Sequence, residues 1–202
     1  MQRRLCTLLL AGLSFLPLTA EAKLTPLGSS GLITTPNGYV RLPGHVSGGI
    51  TMSKEDYRLR ANVSLPLGLE VSGAQIHPRH GTVYNVVNAK WQVLREMPFI
   101  PAIAIGGEDL GKAKHRVGYV AATKALPGGL KLHAGIGTGS QYQHGFGGVE
   151  KEVTLLGVGM NLKGEYNGSH FNYGAEMPLG RFLDAEVGVR DHHLYGGLDL
   201  TF

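Results

Sequence analysis

The last nine residues, Leu194 to Phe202, alternate. Counting back from Phe202, every second position is apolar or glycine, and Tyr195, Gly197, Asp199 and Thr201 fall between. A period of two is the pattern of a β-strand with one apolar and one polar face. A strand of this kind that stops on a terminal aromatic is the ending expected of a bacterial outer-membrane barrel. Leu198, Leu200 and Phe202 are therefore read as the segment recognised by the barrel-assembly machinery, with outer-membrane lipid as the surrounding solvent. The same alternation recurs in Tyr57–Leu65, Val158–Tyr166 and Leu183–Arg190.

The other end of the chain agrees with an exported protein. A basic start, Met1-Gln2-Arg3-Arg4, precedes an apolar run from Leu5 to Leu18 and a small-x-small site at Ala20-Glu21-Ala22. This is the pattern of a signal peptide, 1–22, cleaved after Ala22. The run is too short to span a bilayer, and Pro17 interrupts it. The single cysteine, Cys6, lies within the leader, so no thiol chemistry is expected of the mature chain. Residues 23–44 are expected to form an N-terminal periplasmic segment, and 45–202 the barrel. Loss of Arg3, Arg4 and Glu21 takes the net charge from +4 to +3. No Lys/Arg cluster is interleaved with aromatic residues, so nucleic acid is not expected as a partner.

Proline-glycine turns recur at Leu65-Pro66-Leu67-Gly68, Leu126-Pro127-Gly128-Gly129 and Met177-Pro178-Leu179-Gly180, with a looser copy at Met97-Pro98. Proline lacks the ladder N–H and glycine tolerates positive φ, so both belong at turns. Longer polar connections fall between them, at 76–81, 108–115 and 138–145. The resulting strands are 45–52, 57–65, 69–76, 83–94, 99–107, 116–126, 130–137, 145–152, 158–166, 169–177, 182–190 and 193–202. The expected fold is thus an all-β, antiparallel transmembrane barrel of about 12 strands, with ten as the alternative.

Charges of both signs occupy the polar register: Arg58, Arg60, Glu70, Lys90, Lys124, Glu150, Lys163, Glu165, Glu186 and Arg190 are expected to face the lumen. Two readings of that lumen stand side by side. A wide one could hold or pass a polar solute such as a sugar, whereas a narrow one would pair its charges into a rigid filling. Nine glycines, among them Gly106, Gly135, Gly148 and Gly174, reduce side-chain filling and favour some water inside. Tyr57, Trp91, Tyr166, Phe171, Tyr173 and Phe202 are candidates for interfacial girdles. Tyr195, on the polar register, is instead a candidate carbohydrate contact.

Catalytic and metal constellations are weakly represented. Ser169-His170 with Asn172 places 169 and 172 on opposite faces of any strand, so a surface loop is expected there. His77, His80, His115, His144, His192 and His193 fall in expected loops without carboxylates at ligand spacing, so neither metal nor cofactor is expected.

Several segments resemble the YjbH-like family of exopolysaccharide-associated outer-membrane proteins. They are Gly31-Leu32-Ile33-Thr34-Thr35-Pro36, Gly106-Gly107-Glu108-Asp109-Leu110-Gly111, Tyr119 to Lys124 (Thr123 standing where the family has serine), Gly145 to Glu150, and Leu162 to Gly168. The resemblance runs from about Gly28 to Phe202. It implies a non-enzymatic outer-membrane barrel that assists exopolysaccharide biosynthesis, export or surface retention, with polysaccharide and export proteins as partners. The alternatives are a small general porin or structural barrel, and a lipid-modifying enzyme.

Overall fold

A computed structural model describes residues 23–155 and 157–202; the expected leader, 1–22, lies outside them. Two short strands, β1 (Lys23–Leu24) and β2 (Ser30–Gly31), pair with each other. Twelve more follow: β3 (Val46–Ser53), β4 (Asp56–Leu65), β5 (Leu69–Pro78), β6 (Tyr84–Leu94), β7 (Ala102–Glu108), β8 (Val117–Leu126), β9 (Leu130–Gly137), β10 (Phe146–Leu155), β11 (Val158–Tyr166), β12 (Phe171–Pro178), β13 (Leu183–Arg190) and β14 (His193–Thr201). These form one closed antiparallel barrel in which each strand pairs with its chain neighbours. The strand count is twelve rather than ten.

The barrel closes where β14 meets β3, with Thr201 opposite Ser47 and Tyr195 opposite Ser53. Phe202 adds a reciprocal pair of bonds with Val46, at 2.9 and 3.0 Å, so no ladder edge is left at the seam. Its ring stacks on Phe182, 5.6 Å away.

The alternation maps onto the wall as expected. Leu59, Val71, Val87, Val120, Leu132 and Leu162 point outward and are exposed, while Arg60, Ser72, Asn88, Ala121, Lys131 and Lys163 are buried inside. An apolar exterior around a polar interior is the inverse of a water-soluble domain and suits a lipid surround.

One rim, the turn end, carries the connections 66–68, 95–101, 127–129 and 179–182, and Gly157 between β10 and β11. The opposite rim, the loop end, carries 54–55, 79–83, 109–116, 138–145 (with a one-turn helix, α1, Gly139–Tyr142), 167–170 and 191–192. The expected asymmetry between rims is confined to 109–116 and 138–145. The connections at 54–55 and 191–192 are as tight as any turn. In the latter, Asp191 and His192 both have positive φ, 49° and 68°, the geometry of a type I′ hairpin.

Twelve strands enclose more space than their own side chains fill. The surplus is taken up by residues 23–41, nearly all of them buried. This corrects the expectation of a periplasmic segment at 23–44: its polar groups bond to strands on every side of the barrel, which places it within the wall. It is a plug.

Candidate functional site

The plug rises twice from the turn end. It starts at Lys23, reaches the loop end near Pro26–Leu27, and returns to Ser30. It then climbs again to Thr34 and descends to Arg41, which donates to the hydroxyls of Ser47 and Thr201 beside the closing seam. Both of its ends therefore sit at the turn-end mouth. Internal bonds hold the two bends: Thr25 N–H to Ser29 O at 2.7 Å, and Leu32 N–H to Thr35 O at 2.9 Å.

Three wall carboxylates grip it. Glu165 accepts from Ile33 N–H at 3.0 Å, Thr34 N–H at 2.7 Å and Thr35 N–H at 3.2 Å, and from the Thr34 and Thr35 hydroxyls at 2.5 and 2.8 Å. Asn172 donates to the same group at 2.9 Å. Glu70 accepts from Ser30 N–H and hydroxyl at 2.9 and 2.5 Å. Glu108 accepts from Ser29 at 3.0 Å and Tyr142 at 3.1 Å. One cation works among them: Lys90 donates to Ser30 O at 2.7 Å and to Asn37 O at 3.3 Å. Buried charges persist only when paired and hydrogen-bonded, and here the plug backbone supplies much of the bonding.

Neutral contacts complete the grip. Asn62 donates to Gly28 O and Asn88 to Leu27 O, at 3.1 and 2.6 Å. Thr123 accepts from Gly38 N–H at 2.8 Å and meets His133 Nδ1 at 2.9 Å. A Cβ on Gly38 would lie 2.6 Å from Ala102 O, so only glycine lets the plug backbone pass the wall there. Gly148 makes the reciprocal concession, since its missing side chain is where Leu32 packs.

The remaining wall charges mostly pair with one another. Arg60 bonds Asp199 at 2.9 Å and also reaches Glu186; Lys131 bonds Glu150 at 2.8 Å, and Lys163 bonds Glu176 at 2.7 Å. Lys23, at the mouth, pairs with Asp184 at 2.7 Å and Glu176 at 2.8 Å. Burial alone would lower the Lys23 ammonium, but the two carboxylates outweigh it and hold its pKa raised. Two polar cavities flank the plug, about 640 Å³ at the turn end beside Lys23 and about 460 Å³ at the loop end beside Thr34, Arg58 and Arg190.

Of the charged residues expected inside, Arg60, Glu70, Lys90, Glu150, Lys163, Glu165, Glu186 and Arg190 lie on the inward register. Arg58 does too, nearer the rim, where it shares Asp56 with Arg190 at 2.5 and 3.0 Å. Lys124 does not. In β8 the inward positions are 117, 119, 121 and 123, so Lys124 lies on the outer register opposite exposed Leu132. Its long stem carries the ammonium to the rim, where Glu96 accepts at 2.7 Å. Glu96 is held below the ordinary glutamate range: burial pushes it up, but Lys124, the Tyr39 hydroxyl and Ala125 N–H together prevail.

The glycine-lined lumen is also fuller than expected. Inward rings lie over Gly106 (Tyr119), Gly135 (Phe146) and Gly174 (Tyr195), so these glycines seat aromatics instead of leaving water. Tyr195, the candidate carbohydrate contact, is 5% exposed, with the Arg190 guanidinium 5.5 Å from its ring. Asn172 faces the lumen while Ser169 and His170 sit in a turn capped by Asn167, so these three do not converge. Among the described residues no group of three or more His, Cys, Asp or Glu could hold a metal ion. Glu108, His133 and Tyr142 are interior groups that the alternation does not single out, and Glu176 and Asp199 join them inside from the polar registers of their strands. Glu108 falls in the expected loop at 108–115, and His133 gives no signal beyond the inward register it shares with Lys131.

A closed twelve-stranded barrel, apolar outside and gripping a peptide within, is an outer-membrane β-barrel of the porin fold. The chain belongs to the YjbH family, described as "Exopolysaccharide biosynthesis protein YbjH", whose model matches residues 24–154. That span takes in the plug and β3 through most of β10; Glu165, its main anchor, lies just beyond. Among solved structures the chain is similar to a KdgM porin (TM-score 0.57, 11% identity, covering 78% of this chain and 98% of that one). It is also similar to a KdgM porin in complex with disordered oligogalacturonate (TM-score 0.53, 11% identity, the same coverage). At that identity the likeness is one of fold. No curated protein matches the chain.

Proposed function

We propose that this protein is a non-enzymatic outer-membrane barrel that assists export or surface retention of an extracellular polysaccharide, with its resting lumen occupied by its own N-terminal segment. One observation carries the reading. The segments that resemble the exopolysaccharide family converge on the lumen: Glu165 grips Gly31–Pro36 and Gly148 makes room for it, while Glu108 and Thr123 accept from the flanking plug residues Ser29 and Gly38. The family's pattern thus describes an interior, not a catalytic rim. That a porin of this fold has been seen with oligogalacturonate supports a saccharide as the class of solute.

Deleting the gene in a polysaccharide-producing strain should lower secreted or surface-held polysaccharide, and the intact gene should restore it. Unchanged yield, composition and retention would sink the proposal. The second reading is a small porin without a polysaccharide role, favoured by the polar cavities at both mouths. Ohmic conductance of the wild-type protein in planar bilayers, indifferent to sugars, would select it.

A further inference from the structure

Plug residues 29–37 are rich in hydroxyls, and the wall meets them with carboxylates. Ser29 donates to Glu108, Ser30 to Glu70, and Thr34 and Thr35 to Glu165. Hydroxyl donors facing carboxylate and amide acceptors are also the chemistry by which a polar groove holds a sugar chain.

The charge balance narrows which sugar. Lys131 with Glu150 and Lys163 with Glu176 neutralise each other, Arg60 serves two acids, and near the loop end Arg58 and Arg190 share the one acid Asp56. Among the described wall residues Lys90 is the cation beside Glu70 and Glu108, Glu165 is bonded by hydroxyls and amides, and the plug itself brings the cations Lys23 and Arg41. A lumen without the plug is therefore more negative than the plugged one, and its field repels polyanions.

We propose that the lumen occupied by residues 23–41 is a saccharide passage that takes neutral or amino-sugar chains and rejects acidic ones, the plug being its self-supplied competing occupant. This rests on the polysaccharide role proposed for the barrel and adds the class of sugar.

The test uses the purified full-length barrel in planar bilayers. Two variants loosen or hold the plug: Glu165→Gln, and a Thr34→Cys/Asn172→Cys pair, whose native side chains meet at 3.3 Å, in a chain whose only other cysteine is Cys6 of the leader. The Glu165→Gln channel should be open about tenfold more often than wild type, the scale of weakening one charged acceptor's hydrogen bonds. The oxidised cysteine pair should be silent and should open on reduction. The open state should favour K⁺ over Cl⁻, and neutral glucan or chitosan oligomers should block it while oligogalacturonate does not. Anion selectivity, or block by oligogalacturonate at the lower concentration, overturns the proposal. So does silence of both Glu165→Gln and the reduced pair in protein that has assembled correctly. A deletion strain with unchanged polysaccharide, alongside the expected bilayer behaviour, would sink the export reading and leave this one standing.

Discussion

Thr123 and Lys124 are adjacent in the chain and live in different surroundings. The threonine hydroxyl accepts the Gly38 N–H inside the lumen, whereas the lysine lies along the outside and pairs at the rim. Thr123→Val should leave a buried N–H without an acceptor and cost about 1–3 kcal/mol. Lys124→Ala should cost less than about 1 kcal/mol, since its partner Glu96 sits at the partly exposed rim where solvent screens the pair. Urea unfolding in detergent micelles checks both, and equal costs would contradict an inward Thr123 beside an outward Lys124. A gain is expected at His192, where a non-glycine residue holds φ at 68°: His192→Gly should stabilise the barrel by about 1 kcal/mol, measured the same way. Alternation carries most of this information. Its failure at Lys124 is instructive, because the long stem lets a charge stand on an apolar face and still reach polar company, and residue type alone then misreports direction.

At the scale of elements, the wall was legible and its filling was not. Ladder strands announce themselves by period two and by proline-glycine turns, so β3 to β14 fall within a few residues of their expected bounds. The plug has no such period, since it is held by long-range bonds such as Thr35 to Glu165 across 130 positions. Its sequence is short of charge and rich in Ser, Thr, Gly and Pro, which reads as a linker. The glycines show the same limit. Gly148 signals absence of bulk, but only the folded chain reveals that Leu32 occupies the gap. Replacing Gly148 with valine should displace Leu32, destabilise the barrel by about 1–3 kcal/mol, and expose residues 29–37 to protease. An unchanged cleavage pattern would mean that the plug is held independently of that seat.

At the scale of the whole molecule, Phe202 completes the closure that β14 and β3 make. Phe202 exchanges two backbone bonds with Val46 and stacks on Phe182, so it belongs both to the seam and to the aromatic rim. Deleting it should reduce the heat-modifiable, membrane-inserted fraction severalfold while leaving the interior bonds of any assembled barrel intact. Normal assembly without Phe202 would remove the role assigned to it. The fold class was readable from that residue, the alternation and the expected leader. The plugged state was not, because it depends on how much volume twelve tilted strands enclose, a property of no single segment.

The plug's two ends share one mouth, and this has a mechanical consequence. A strand threaded from rim to rim would have to be dragged out lengthwise, breaking its bonds together. A doubled-back segment drawn from the turn end instead peels: Arg41 and Tyr39 release first, then Gly38, then the Thr34–Thr35 bend on Glu165. The anchors release in succession rather than together, and the chain can fall back along the path it left. Pulled from the loop end, the same bends would load all their anchors at once. The plug would in this sense act as a one-way latch, drawn more easily from the side on which both its ends sit than from the other.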